Sequence, residues 1–121
     1  MNKNPYNGFI NIYKENGYTS MDVCAKLRGI LGMRKIGHAG TLDPMAEGVL
    51  PVALGRATKD VERIGDGTKC YRAVMLLGLE TDTQDITGEV LRREELPELS
   101  KEEIEAAIAS FVGSYEQLTP M

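Results

Sequence analysis

The feature that most constrains this chain is a change in the spacing of its apolar residues. Residues 8–13 read as an alternating, half-buried strand, and Asn16-Gly17 follows as a turn signal. Residues 20–31 and 101–111 instead carry apolar side chains at helical spacing. Because strands and helices do not follow each other in regular βαβ order, we predict an α+β fold with a largely antiparallel sheet flanked by helices.

The helix boundaries have recognisable signals. Thr19 or Ser20 is expected to cap the first helix, and Gly32 is a natural stop. The second helix is predicted to begin at Ser100, with Glu103 completing a capping box. Both helices are therefore predicted from local chemistry.

The remaining segments are harder to interpret. Residues 32–48 are predicted to be a Gly-rich loop. Residues 49–54 form an apolar run that Pro51 should restrict to an edge strand or an irregular one. Residues 71–79 are apolar on both faces, which predicts a long strand buried between layers. Shorter elements are expected at residues 56–63 (helix) and 89–92 (strand).

Composition and charge narrow the function class only slightly. The chain has 121 residues, 42% hydrophobic, which fits one domain, and no apolar run approaches the roughly 18 residues of a membrane span. Two distant cysteines and the lack of an apolar leader indicate a reducing compartment, so we expect a cytoplasmic protein. Residues 1–79 hold eleven basic and seven acidic side chains, and residues 80–121 hold three and eleven. The basic front half is compatible with a nucleic acid, but scattered surface charge explains it as well.

Residues 37–48, GHAGTLDPMAEG, are the most unusual stretch. Their glycines allow close approach of the backbone to a ligand, and Pro44 restricts Asp43 to an extended conformation. His38, the only histidine, lies on the same stretch. A rigid loop with a carboxylate and an imidazole is typical of a site, although these are also ordinary turn residues. One histidine and two distant cysteines lack the paired ligands of a zinc site, so we expect neither a metal nor a cofactor.

Four segments, in order, resemble the TruB family of pseudouridine synthases. The signature is residues 37–59, GHAGTLDPMAEGVLPVALGRATK. Residues 14–20 resemble the family's first motif, K-P-x-G-x-T-S, with Glu15 in place of proline. Two later segments also agree, KCYRAVMLLGLETDTQDITG at residues 69–88 and FVGSYEQLTPM at residues 111–121. The remaining departures are Asp60, where an aromatic residue is usual, and Thr119-Pro120 in place of a double proline.

The resemblance implies isomerisation of uridine to pseudouridine at position 55 in the T-loop of tRNA, with the target base flipped out of its stack. Asp43 matches the family's essential aspartate, which acts as nucleophile or as proton acceptor at the ribose. His38 matches a histidine that fills space near the extruded nucleotide, and Tyr71 matches a tyrosine that packs on the target base. Four basic residues near the signature are candidate phosphate contacts: Arg34, Lys35, Arg56 and Lys59.

The same resemblance implies that residues 1–121 are the N-terminal portion of the catalytic domain. The arginine that pairs with the aspartate, the deeper wall of the base pocket and a C-terminal RNA-binding module belong to later segments of the family. We therefore expect an incomplete fold and little or no activity from residues 1–121 alone. The full-length protein is expected to be a monomer that binds tRNA, without a metal or a membrane.

Two other functions remain open at this stage. The first is a non-catalytic RNA-binding module that keeps the fold and docks through the basic front half. The second is phosphoryl transfer with Asp43 as acceptor, which lacks Mg²⁺-binding carboxylates at a suitable spacing.

Overall fold

The computed structural model describes residues 5–118, which divide into two compact units. The first unit ends at Cys70 and the second begins at Tyr71. The first unit contains a three-stranded sheet and two helices, and the second contains a two-stranded ribbon and one helix. All strand pairs are antiparallel. The predicted α+β class with antiparallel sheet is confirmed.

The sheet of the first unit has the order β1-β3-β2. The strands are β1 (Gly8–Lys14), β2 (Ile36–His38) and β3 (Gly48–Leu54). Strand β1 pairs with β3 along its whole length, and β2 pairs only with the last three residues of β3. The segment 32–48 was predicted to be loop throughout, which was wrong for four of its residues: the three of β2, and Gly48, which begins β3.

Helix α1 (Ser20–Leu31) packs on one face of this sheet. The side chain of Thr19 accepts a hydrogen bond from the Asp22 N–H, and the Asp22 side chain accepts one from the Thr19 N–H, which completes a capping box. Gly32 ends the helix in the left-handed conformation (φ 62°), as predicted. The core between helix and sheet is formed by eight residues: Val23, Cys24, Leu27, Met33, Ile36, Leu50, Val52 and Leu54.

Pro51 lies in the central strand, which pairs with β1 in an unbroken register, so the prediction of an edge strand or an irregular one was wrong. Its carbonyl oxygen accepts a hydrogen bond from the Ala39 N–H at 2.9 Å, on the side of β2. In an extended strand the N–H and C=O of one residue point to the same side, so the nitrogen of Pro51 also faces β2. Strand β2 ends at His38, opposite Val52, so no residue of β2 lies opposite Pro51 and needs a hydrogen bond from its nitrogen.

The first unit ends with a 3₁₀ turn (Gly55–Asp60) and helix α2 (Val61–Gly65), close to the predicted short helix. The side chains of Thr58 and Val61 lie 3.9 Å from the position of a Cβ on Gly37. These two elements therefore cover part of the sheet face opposite α1.

The second unit contains β4 (Leu79–Thr81), β5 (Val90–Arg93) and α3 (Lys101–Ala109). The returning strand and the helix are confirmed. The Ser100 side chain accepts from the Glu103 N–H as predicted, but in the described residues the Glu103 side chain does not return the bond, so the predicted capping box is only half formed. The long buried strand predicted over residues 71–79 is not found. Residues 71–76 have no regular structure, and Val74 is 97% exposed. Strands form on a partner, and only Leu79 of this segment pairs with another strand in the described part of the chain.

Candidate active site

The segment between β2 and β3, residues 39–47, is called here the Asp43 loop. Asp43 is exposed, and its carbonyl oxygen accepts a hydrogen bond from the Ala46 N–H at 2.9 Å, which closes a β-turn with Pro44 at its second position. Because Pro44 fixes its own φ and restricts the preceding residue, Asp43 has little conformational freedom. The loop thus presents its carboxylate to solvent from a tight turn.

The residue before Asp43 is held by α1. The buried hydroxyl of Ser20 accepts a hydrogen bond from the Leu42 N–H at 3.1 Å and donates one to the Leu42 carbonyl at 3.3 Å. Leu42 itself packs against the core. Both backbone polar groups of Leu42 are therefore bonded to one side chain.

The residue after Asp43 is held by the turn between β1 and α1. The Pro44 carbonyl accepts hydrogen bonds from the Gly17 N–H at 2.8 Å and from the Lys14 ammonium at 3.2 Å. Lys14 is fully buried, and its ammonium also donates to the carbonyls of Tyr18 (2.6 Å) and Glu15 (3.1 Å). Residues 14–20, called here the anchor segment, thus bind the Asp43 loop on both sides of Asp43.

The anchor segment resembles a family motif, but from the sequence Ser20 was only a candidate helix cap, a place that Thr19 takes, and Lys14 had no predicted role. A signal for Lys14 was present, since Ile10, Ile12 and Lys14 alternate along one strand and therefore share a face. That face is the one covered by α1. A lysine that is itself buried at the end of this row needs acceptors, and here they are three backbone carbonyls.

His38 is the last residue of β2 and is half-buried. Its Nδ1 lies 2.6 Å from the Gly40 carbonyl oxygen, which can only accept, so Nδ1 carries the hydrogen of this bond. His38 lines an open hollow of about 350 Å³ beside the Asp43 loop. The other lining residues come from the loop, from α2 and from the residue that follows α2: Gly40, Val61, Glu62, Gly65 and Asp66.

Three of the predicted phosphate contacts lie together, away from Asp43. Arg34 and Lys35 directly precede β2, and Arg56 follows β3 after Gly55. Because these strands are antiparallel, the three residues share one end of the sheet, and the Lys35 carbonyl accepts from the N–H of Gly55 at 2.8 Å.

The Asp43 loop joins the strands at the opposite end. The seven residues of β3 separate the two ends by about 20 Å, at 3.3 Å per residue. Lys59 is exposed on the 3₁₀ turn that follows β3. Arg34, Lys35 and Arg56 flank the Asp43 loop in the sequence, but they lie at the other end of the sheet.

Tyr71 is the first residue of the second unit and is 66% exposed. It lies in the irregular stretch that was predicted to be a strand. Within residues 5–118, no three His, Cys, Asp or Glu side chains converge as metal ligands, and no helix is both long and apolar enough to cross a membrane.

Comparison with known proteins gives a consistent assignment. Residues 28–121 match the family described as TruB family pseudouridylate synthase (N terminal domain). The chain is 53% identical over 115 residues to tRNA pseudouridine synthase B of Clostridium perfringens (strain 13 / Type A), covering 95% of this chain and 39% of that protein. It is 46% identical over 122 residues to the synthase of the same name from Lactococcus lactis subsp. lactis (strain IL1403), covering 100% of this chain and 37% of the relative. The chain thus spans less than two-fifths of the length of these relatives.

Among solved structures, the chain resembles one in the structure of an H/ACA RNP bound to a substrate RNA containing 2'-deoxyuridine. The sequence identity is 52% and the TM-score 0.45, over 46% of this chain and 18% of that chain. A second match is in the archaeal box H/ACA sRNP Nop10-Cbf5 complex, at 55% identity and a TM-score of 0.44, over 46% and 18% of the two chains.

Proposed function

This chain belongs to the TruB family of pseudouridylate synthases, and on that basis we propose that the protein isomerises uridine to pseudouridine in tRNA with Asp43 as the catalytic carboxylate. The target is the T-loop uridine at position 55. The observation that carries this proposal is the exposed Asp43 carboxylate on a tight turn whose two flanking residues are both hydrogen-bonded to the anchor segment.

The reaction requires a group that attacks or deprotonates the ribose while the glycosidic bond at N1 breaks and C5 takes its place. A carboxylate can do either. Such chemistry depends on holding the group in place against the reacting carbon, because orientation supplies a large part of the barrier reduction. The bonds at Leu42 and Pro44 provide that restraint on both sides of an exposed residue.

Access to the ribose requires the base to leave its stack, which costs a few kcal/mol. In our proposal His38 fills part of the space that the base vacates, and the ring of Tyr71 packs on the flipped base. Stacking of an aromatic ring on a base is worth about 1–3 kcal/mol, which offsets much of the unstacking cost.

The basic end of the sheet gives this proposal a second element. Arg34, Lys35 and Arg56 lie at one end of β3, about 20 Å from the end that the Asp43 loop joins, a distance that an RNA stem can bridge by its phosphates. We therefore assign them to tRNA backbone contact remote from the reacting uridine. Their removal would weaken tRNA binding without changing the chemical step.

The test uses the complete gene product that contains this sequence and an unmodified tRNA transcript, with pseudouridine in the T-loop as the readout. We expect conversion by the wild type and by Glu47→Ala, which removes a neighbouring exposed carboxylate on the same loop. Asp43→Ala should bind tRNA but give no conversion. A preparation of residues 1–121 alone is expected to give little or none.

The alternative is a non-catalytic RNA-binding module. It would be favoured if neither the wild type nor Asp43→Ala converted uridine while both bound tRNA equally. Conversion by Asp43→Ala at the wild-type rate would refute the role of Asp43.

A further inference from the structure

Ser20 makes an unusual pair of contacts with the Asp43 loop. Its hydroxyl is buried, accepts from the Leu42 N–H at 3.1 Å and donates to the Leu42 carbonyl at 3.3 Å. The two residues are 22 positions apart, so the contact is tertiary. A hydroxyl suits this place because one group can serve as both donor and acceptor.

The Leu42 carbonyl belongs to the peptide unit that joins Leu42 to Asp43. A peptide unit is planar, so a hydrogen bond to its oxygen fixes the orientation of the whole plane and with it the direction in which the Asp43 Cα lies. The bond to the Leu42 N–H fixes the preceding peptide unit in the same way. Ser20 therefore restrains both peptide planes on the N-terminal side of Asp43.

We propose that Ser20 is a positioning residue for the isomerisation, which holds Asp43 against the ribose by fixing the peptide planes at Leu42; this inference rests on the proposed function of Asp43. Ser20 touches neither the Asp43 carboxylate nor a reacting atom in this arrangement. Its effect should thus appear in the rate of the chemical step and not in tRNA binding.

The neighbouring Thr19 offers a matched control. Its hydroxyl also makes a structural hydrogen bond, to the N–H of Asp22 at 2.9 Å, but that bond lies within the cap of α1 and does not reach the Asp43 loop. Both Thr19→Ala and Ser20→Ala remove one hydroxyl from the start of the same helix. They differ in whether the Asp43 loop loses a partner.

The experiment measures steady-state kinetics of the complete gene product with unmodified tRNA, for wild type, Ser20→Ala, Ser20→Thr, Thr19→Ala and Asp43→Ala. For Ser20→Ala we expect kcat to fall about 10- to 100-fold, since a displacement of about 1 Å is enough for such a loss, with KM unchanged within about threefold. Thr19→Ala should keep kcat within about threefold. Ser20→Thr retains the hydroxyl and should recover most of the lost rate.

Hydrogen exchange gives a second measurement that does not depend on the threonine variant fitting the buried site. The peptide covering residues 41–46 should exchange at least about tenfold faster in Ser20→Ala than in Thr19→Ala, because Leu42 has lost its partner. Equal exchange in the two variants, or an equal fall in kcat, would overturn the positioning role. Either of these results leaves the proposed function intact if the wild type is active and Asp43→Ala is not. The proposed function itself fails if Asp43→Ala is active or if the wild type makes no pseudouridine.

Discussion

Replacement of Lys14 by methionine tests whether the anchor segment stabilises the fold. The substitution keeps an unbranched apolar stem and removes the ammonium group. Lys14 is 0% exposed, and its ammonium donates to the carbonyls of Tyr18 at 2.6 Å, Glu15 at 3.1 Å and Pro44 at 3.2 Å. Within residues 5–118 no carboxylate lies within 4.0 Å of this ammonium, so its partners there are all backbone groups.

The expected loss of stability depends on which hydrogen-bond donors each carbonyl keeps when the ammonium group is removed. The Glu15 carbonyl keeps the N–H of Tyr18 at 3.4 Å, and the Pro44 carbonyl keeps the N–H of Gly17 at 2.8 Å. The Tyr18 carbonyl, which lies in a partly buried place, has no second donor in the described part of the chain, and an acceptor left without a partner away from water costs about 1–3 kcal/mol. The other two bonds add only about 1 kcal/mol, because removing the ammonium also removes its desolvation cost. We therefore expect the free energy of unfolding to fall by about 2–4 kcal/mol.

The assay is urea unfolding of the complete gene product, followed by circular dichroism, with Lys26→Met as the control. Lys26 is exposed; its ammonium lies 3.2 Å from the Tyr18 hydroxyl and 5.4 Å from the centre of that ring. An exposed contact of this kind is worth about 0.5–1 kcal/mol. The reasoning is refuted if Lys14→Met costs no more than Lys26→Met.

Two further predictions concern the frame around the site. Gly55 has φ +59°, and a Cβ there would meet the Asn7 side-chain oxygen and, at 2.5 Å, the Tyr6 carbonyl oxygen. In a urea titration, Gly55→Ala should thus lower the free energy of unfolding by about 2–4 kcal/mol. Gly29→Ala, in open space on α1, should raise it by up to about 1 kcal/mol. The hydrogen bond from the Thr19 backbone, and then that from its side chain, lower the pKa of Asp22. The contribution of the Asp22 carboxylate to stability is therefore present above the unfolded-state pKa of about 3.9 and is lost as pH falls through the lowered folded-state pKa. In urea titrations, wild type should be more stable than Asp22→Asn at pH 7, and this difference should close at strongly acidic pH. A difference that persists at strongly acidic pH would contradict the prediction.

The parts of the fold that sequence reasoning found are those with local causes. The cap of α1 depends on Thr19 and Asp22, three residues apart, and its end depends on the left-handed Gly32. The position of Asp43 before Pro44 likewise indicated a constrained carboxylate. In each case the interacting groups lie within one turn of chain, where residue identity alone restricts the conformation.

The parts that sequence reasoning missed depend on a partner distant in sequence. Strand β2 has only three residues and exists because β3 offers its edge. Pro51 is acceptable in a central strand because β2 ends at His38, which the sequence does not reveal. Residues 71–79 show the reverse case, since strong strand propensity produced a strand only at Leu79, where β5 supplies a ladder.

The same distinction explains how Asp43 is held. The loop glycines, which first drew attention to this stretch, make it adaptable and give no restraint by themselves. The restraint comes from Lys14, Gly17 and Ser20, through hydrogen bonds to the backbone of Leu42 and Pro44. Because these bonds end on backbone atoms, they are indifferent to the side chain at residue 42 and require only that the loop follow the same path. The position of the carboxylate therefore depends on the anchor segment as well as on the loop that carries it, and substitutions that remove one of these hydrogen bonds should lower the rate of the chemical step.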